Sequence, residues 1–220
     1  MKISLEYKIK SFLNQLGIQI ILLVVAIACL FPLVWTLSAS LKTNQTIFED
    51  MSLIPRQFNF INYYIAWTKG HFGTYFFNSI LYTVVVVAGI VIIGSMAAYA
   101  LARLKFPGRN FFFFLLIATM LIPVPGAIIA LYLLLMKLGL ANTRIGYILP
   151  LINGGLPLAI FLFKTFFERI PEDLEDAARI DGCSKFGIYW RVALPLARPA
   201  IAVVVIFNSL TVWNEYILAM

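Results

Sequence analysis

Acidic side chains are concentrated in one short segment of this sequence. That segment interrupts an otherwise apolar chain and holds five of the ten Asp and Glu residues: Glu172, Asp173, Glu175, Asp176 and Asp181. Pro171 before it and Gly182 near its end predict a short helix, because proline and carboxylates favour the first turn and glycine favours the end. Leu174, Ala177 and Ala178 form a narrow apolar strip that would let another surface approach closely, while the carboxylates could pair with basic residues. The pattern indicates non-covalent docking, and a solvated loop between membrane spans is the open alternative.

The composition places this segment in a membrane protein. The chain is 62% hydrophobic and 12% charged, with a mean hydropathy of +0.93, whereas soluble domains are roughly 45–50% apolar and about 25% charged. The two cysteines form no disulfide framework or metal spacing, so we expect no metal and no cofactor. The net charge of +7 comes from basic residues scattered in short loops, which indicates membrane topology rather than nucleic-acid binding.

The apolar runs predict an all-α, polytopic helical bundle with a polar segment exposed between two of its spans. The five predicted transmembrane helices cover residues 17–41, 78–101, 111–136, 148–163 and 199–218. Pro32 is expected to kink the first span and Pro199 to open the fifth. Proline and glycine residues are expected to interrupt two others: Pro123, Pro125 and Gly126 in the third, and Pro150, Gly154, Gly155 and Pro157 in the fourth. Residues 42–77 form an external segment whose aromatic residues predict an interfacial helix over 60–67.

The distribution of basic residues predicts the orientation of these spans. With a cytoplasmic N-terminus, twelve of the seventeen Lys and Arg residues fall on the inner side. The opposite orientation would reverse this bias. The acidic segment, within residues 164–199, is therefore expected to be cytoplasmic.

The spacing around the acidic segment is similar to that of a known loop. Asp176-Ala177-Ala178 is followed by three residues, Gly182, nine residues and Val192-Ala193-Leu194-Pro195. This resembles the cytoplasmic EAA loop of ABC importer permeases, with Asp176 and Val192 in place of the usual Glu and Ile. The resemblance implies a coupling helix that contacts an ATPase subunit, with these residues expected at the contact: Glu175, Asp176, Ala177, Ala178, Asp181, Gly182, Val192, Leu194 and Pro195.

Further stretches resemble one branch of that family, the sugar-importing permeases of the maltose-transporter type. They are residues 77–79, 98–103, 138–143, 167–171 and 213–215. The resemblance implies a multi-pass subunit of the bacterial or archaeal plasma membrane. Its implied partners are two ABC ATPase subunits, a second permease subunit and an extracytoplasmic solute-binding protein. The sequence contains no P-loop, catalytic triad or metal cluster, so we expect that this subunit is not an enzyme and that its partners hydrolyse ATP.

The number of spans departs from the family pattern. Members of this branch usually have six spans. Taken as a single transmembrane domain over residues 1–220, this sequence is expected to have five and to reach the outer side without the sixth. The alternative interpretation is a truncated, non-transporting subunit or fragment with a structural or regulatory role.

Polar residues within the spans suggest a substrate path. The candidate residues are Asn153, Gly154, Gly155, Asn208, Ser209 and Thr211, and an uncharged path of this kind would suit neutral sugars. Hydrogen bonding between helices, together with helix kinking, is the competing interpretation. A secondary transporter or channel would place ionisable residues within its spans, whereas Glu215, at an outer edge, is the only acid near one.

Overall fold

The computed structural model describes residues 2–121, 124–216 and 218, and, within these, the side chains outside 2–14 and 124–126. Every regular element in this part of the chain is helical, which confirms the all-α prediction. The chain divides into two compact units, Met1–Tyr75 and Phe76–Met220.

The first unit contains one long helix and two short ones. Helix α1 covers Lys2–Ser40, α2 covers Thr46–Glu49 and α3 covers Ile61–Thr68. Pro32 lies inside α1, and α3 occupies the place of the predicted interfacial helix. The segment after α1 is fixed by the buried Lys42, whose Nζ donates to the carbonyl oxygens of Asp50 at 2.5 Å and Ser52 at 2.7 Å.

The second unit contains most of α4, which covers Phe72–Arg103, and all later elements. These are α5 (Arg109–Thr119), α6 (Val124–Lys137), α7 (Arg144–Phe167), α8 (Glu172–Ile180), α9 (Lys185–Ile188), a π-helical segment (Tyr189–Ala193), α10 (Leu194–Leu196) and α11 (Arg198–Trp213). Pro199 lies in the first turn of α11, where its missing N–H costs no hydrogen bond. The helical segments Lys185–Leu196 and Arg198–Trp213 meet at a bend of 74°.

The core of the second unit lies where α4, α7, α11 and the π-helical segment pack together. Its fully buried side chains include Ile90, Phe163, Phe167 and Val204. Small residues bring the helices close: a Cβ added at Gly94 would lie 3.3 Å from the Cβ of Ala159. Close approach at glycine and alanine is the usual way for membrane helices to pack, because the surrounding lipid supplies no hydrophobic driving force.

The helices that could cross a membrane agree with a polytopic membrane protein. In the described chain, three helices are long and apolar enough: Gln15–Ser40 within α1, Phe72–Arg103 and Arg144–Phe167. The bent pair ending at Trp213 makes a fourth if it is one span. The third predicted span, 111–136, falls on two shorter apolar helices, Arg109–Thr119 and Ala127–Lys137, in agreement with its predicted interruption.

The proline-rich stretches behave differently from one another. Pro125 and Gly126 lie in the first turn of α6, where a proline fits, and Pro123 lies outside the described residues. The predicted interruption of the fourth span is wrong, since α7 continues through both Pro150 and Pro157. Membrane helices tolerate such prolines because neighbouring groups and small backbone adjustments satisfy the freed carbonyl groups.

Candidate docking site on the polar loop

The acidic segment forms helix α8, and the residues at its two ends are of types that begin and end helices. Pro171 occupies the N-cap position, and three carboxylates lie in the first turn, where they interact favourably with the positive end of the helix dipole. The helix ends in a Schellman motif, in which Cys183 N donates to Ala178 O at 3.0 Å and Gly182 N donates to Arg179 O at 3.1 Å. Gly182 has a φ of +82°, a conformation that glycine adopts without a Cβ penalty.

One face of α8 is exposed and forms what we call the docking surface, consisting of Asp173, Asp176, Ala177 and Ile180. These residues follow the three- and four-residue spacing that places side chains on the same side of a helix. Ile180 is 87% exposed, so the surface has an apolar end one turn beyond its two carboxylates. Asp176 Oδ1 accepts from Arg179 Nη1 at 2.6 Å, but such exposed pairs contribute little stability and can exchange partners.

The opposite face of α8 is buried against the chain itself. Glu175 and Ala178 are its buried residues, so the apolar strip expected from Leu174, Ala177 and Ala178 is divided, with Leu174 and Ala177 exposed. Glu175 also departs from the expectation that it faces a partner subunit. Its side chain is 9% exposed and its Oε1 lies 3.0 Å from Arg103 Nε, because the helical twist turns position 175 away from position 176.

Arg103, the last residue of α4, connects α8 to the end of α7. Its Nη2 donates to Phe167 O at 2.7 Å and also to Ile170 O, and its Nη1 lies 3.4 Å from Glu172 Oε1. Its contact with Glu175 is an ion pair without the alignment of a directed hydrogen bond. Removing one partner of such a buried pair costs about 3–5 kcal/mol, because the other charge stays buried.

The rest of the predicted motif lies on the elements that follow α8. Asp181 is the C-cap of α8 and is exposed, Val192 is half-buried in the π-helical segment, and Leu194 and Pro195 belong to α10. Helix α8 contacts α9 and the π-helical segment. Tyr189, at the start of that segment, is buried, and its Oη lies 2.9 Å from Ser95 Oγ of α4. The second half of the motif therefore lies within or directly after the segment that supports α8, which consists of α9 and the π-helical segment and which we call the base of α8.

The predicted path residues do not form one group. Gly155 and Asn208 meet between α7 and α11, since a Cβ at Gly155 would lie 2.4 Å from Asn208 Oδ1, and Asn208 is buried and donates to Val204 O at 2.9 Å. Asn153 and Gly154 lie exposed on α7. On α11, Ser209 is half-buried, and the exposed Thr211 donates to Phe207 O at 2.9 Å.

Sequence reasoning missed three residues that the structure places at this site: Tyr99, Arg103 and Ile180. Tyr99 and Arg103 were used only as part of the family-like stretch 98–103, and Arg103 also as one of the basic residues that predict orientation. An arginine directly after an apolar span can snorkel to the interface, so its position alone gives no signal of an inward-facing contact. The large apolar Ile180 at the end of the acidic segment was an additional sign of a docking face that the sequence offered.

Comparison with known proteins identifies the family. Residues 90–220 match the family described as binding-protein-dependent transport system inner membrane component. The chain belongs to this family. It therefore belongs among the permeases of ABC importers, and its helical, multi-pass architecture agrees with that membership.

Several relatives named as transport permeases are similar to the chain over most of its length. It is 37% identical to the diacetylchitobiose uptake system permease protein of Streptomyces coelicolor, over 90% of the chain and 66% of that relative. It is 36% identical to the arabinooligosaccharides transport system permease protein of Halalkalibacterium halodurans, over 95% of the chain and 74% of the relative. It is also 36% identical to the trehalose transport system permease protein of Mycobacterium tuberculosis, over 87% of the chain and 69% of the relative.

A solved structure shows the same fold. It is a crystal structure of a bacterial ABC transporter involved in the import of the acidic polysaccharide alginate, and one of its chains superposes with a TM-score of 0.79 at 30% identity. The match covers 90% of this permease and 70% of the other chain. The fold of the chain is therefore that of an ABC importer permease.

Proposed function

We propose that the chain is a permease subunit of an ATP-driven importer for a sugar or oligosaccharide, in which it forms half of the translocation pathway. Three relatives with 36–37% identity are named as permeases for diacetylchitobiose, arabinooligosaccharides and trehalose, which supports a carbohydrate substrate. The family description names a binding-protein-dependent system. We infer an extracytoplasmic solute-binding protein, a second permease subunit and two ATPase subunits as partners.

The observation that carries this proposal is the exposed docking surface on α8. Asp173 and Asp176 precede the small Ala177 and the exposed Ile180 on this face, so the surface offers negative charge beside an apolar end. A cleft lined with basic residues on an ATPase subunit would complement it, since close pairing of opposite charges favours one partner over others. No bond chemistry is required of this chain, because the partner subunits hydrolyse ATP and the permease transmits the resulting displacement.

The proposed orientation places α8 and residues 164–199 in the cytoplasm, together with the N-terminus. The excess of basic residues on that side supports it. We favour transport over a purely structural or regulatory role because the three relatives are named as transport permeases and because α8 presents an exposed surface rather than packing fully against the chain.

The docking surface can be tested by reversing one charge. We expect Asp176→Lys to reduce co-purification of ATPase subunits with the affinity-tagged chain, expressed in its native host, by about tenfold or more, because like charges across an interface cost several kcal/mol. The measurement is the ATPase activity and subunit content of the eluate, normalised to the amount of permease.

Glu49→Lys is the matched control, since Glu49 is an exposed acid in the segment expected to be external. It should co-purify the same ATPase activity as the unmodified chain. Equal ATPase recovery with Asp176→Lys would show that α8 is not the docking element.

A further inference from the structure

Three residues on one face of α4 contact the loop that carries α8. Ser95, Tyr99 and Arg103 are each four residues apart, so they lie above one another on the helix. Ser95 Oγ meets Tyr189 Oη at 2.9 Å, Tyr99 Oη donates to Glu175 Oε2 at 3.4 Å, and Arg103 Nε lies 3.0 Å from Glu175 Oε1. The last two turns of α4 are therefore attached both to the base of α8 and to α8 itself.

The contact between Arg103 and Glu175 is unusual because both charges are withdrawn from water. Each side chain is 9% exposed. Well-packed apolar residues often stabilise a protein as much as a buried ion pair does, so stability alone does not account for this pair. A defined geometry comes from the guanidinium of Arg103, which is planar and has several fixed N–H donors. It donates to two backbone carbonyls while its Nε faces the carboxylate of Glu175.

Arg103 uses this geometry to join three segments at one point. Its guanidinium contacts Glu175 of α8, Phe167 O at the end of α7, and Ile170 O in the turn between them. The ring of Tyr99 packs against the rings of Phe167 and Tyr189, with centroids 5.6 and 5.4 Å apart. Densely packed groups of this kind transmit displacement rather than absorb it.

We propose that Tyr99, Arg103 and Glu175, here called the Arg103 cluster, lock α8 to the C-terminal end of α4 so that the two helices move as one body. Arg103 is the positioning residue of this cluster. The inference rests on the proposed function for the source of the motion, an ATPase subunit acting on the docking surface. The locking itself is a property of this chain alone. Helix α4 is then the span to which a displacement of α8 is first transferred.

The structural part of the proposal can be measured without any partner. Spin labels are attached at Lys105→Cys, beyond the end of α4, and at Asp173→Cys, on the exposed face of α8, with Cys29 and Cys183 replaced by alanine. In the full chain in lipid nanodiscs we expect a single narrow distance distribution. Arg103→Met should broaden it or add a second population, while Arg144→Met, which removes an exposed arginine at the start of α7, should leave it narrow.

Two further variants keep the measurement interpretable. The double variant Arg103→Met/Glu175→Leu leaves no unpaired buried charge, so it should insert and fold even if the single variant does not, and it should still broaden the distribution. Arg103→Lys keeps the charge but loses the several fixed donors, so its distribution should be intermediate. A distribution as narrow as that of the unmodified chain in the double variant would overturn the proposal.

The functional part is measured in the complex purified from the native host and reconstituted in proteoliposomes with its own solute-binding protein. We expect Arg103→Met or the double variant to retain the ATPase subunits but to transport at least about fivefold less substrate per ATP hydrolysed. A change of about fivefold is the lower end of the range that coupling between two sites typically produces. Arg103→Lys should recover part of the loss. A merely destabilised permease would lose transport and ATPase together and keep this ratio.

The outcomes separate the two proposals. If Asp176→Lys leaves ATPase binding intact, the docking surface is wrong, yet the spin-label distances still report whether α8 is locked to α4. If the distances broaden in the Arg103 variants but transport per ATP is unchanged, the transfer of motion through the Arg103 cluster is overturned while docking at α8 stands.

Discussion

Glu175 and Asp176 are neighbouring carboxylates on α8 with opposite environments. Asp176 is 60% exposed and pairs with Arg179 three residues away, whereas Glu175 is 9% exposed and pairs with Arg103 of α4. One step along a helix turns a side chain by about 100°, which is enough to separate a partner-facing group from a buried one. The roles that we propose for them therefore differ: Asp176 belongs to the docking surface, and Glu175 attaches α8 to α4.

Gly182 offers a test at the scale of a single residue. We expect Gly182→Ala to lower the free energy of unfolding by about 1–2 kcal/mol, the cost of placing a Cβ in the left-handed conformation. A steric clash is not the cause of this loss, since nothing lies within 4 Å of a Cβ added at Gly182. The measurement is thermal unfolding of the purified chain in detergent.

Gly17→Ala is the control for this substitution. Gly17 lies in the first unit within α1, without a positive φ and with open space around an added Cβ, so alanine there should be neutral or slightly stabilising. Equal stability of the Gly182 and Gly17 variants would contradict the strain argument for the end of α8.

At the scale of whole elements, the packing of α7 against α4 and α11 depends on where small residues fall. Gly154 and Gly155 are neighbours in α7, but an added Cβ at Gly154 meets nothing within 4 Å. At Gly155 it would lie 2.4 Å from both Ile90 Cδ1 of α4 and Asn208 Oδ1 of α11. Gly155 and Asn208 thus fit the role of helix packing, and a path-lining role for Asn153 and Gly154 stays a prediction.

This pair of glycines gives a matched test of helix packing. We expect Gly155→Ala to lower the free energy of unfolding by about 1–3 kcal/mol, because an extra methyl group in a packed interface forces side chains and backbone to shift. Gly154→Ala should have the stability of the unmodified chain or slightly more. The measurement is thermal unfolding of the two variants in the same detergent. An equal loss of stability in both variants would argue against close packing at Gly155.

At the scale of the molecule, the orientation of the spans decides what the loop can contact. Residues 164–199 can meet an ATPase only from the cytoplasm, and twelve of the seventeen basic residues fall on that side in the proposed topology. Lys137 is the last residue of α6 and Lys185 the first residue of α9. Both are exposed and belong to the same structural unit.

Labelling of single cysteines tests this topology. In a chain whose native cysteines are replaced, Lys185→Cys should react with a membrane-impermeant maleimide only after the cells are opened. Lys137→Cys should react in intact cells, because the positive-inside bias places it outside. Reaction of Lys185→Cys in intact cells would invert the topology and remove the basis for docking at α8.

Hydropathy and charge distribution in the sequence were sufficient to predict the membrane class and most spans. The turn-forming residues at its two ends predicted the short acidic helix and its end at Gly182. These are local properties, fixed by neighbouring residues and by transfer of side chains between water and lipid. Local patterning also predicted the interruption of the third span, which divides into α5 and α6, but it wrongly predicted an interruption of α7 at prolines that the helix tolerates.

Only the tertiary structure decided which carboxylate of α8 faces outward. That choice depends on Tyr99 and Arg103, and Tyr99 lies 76 residues before Glu175 in the chain. Both faces of a short polar helix satisfy the same local rules, so the neighbour that buries one of them determines the result. The sequence by itself determined that a short acidic helix exists, whereas the packing of α4 against the loop determined how that helix is held. Burial of a charge requires a counter-charge that comes from elsewhere in the fold.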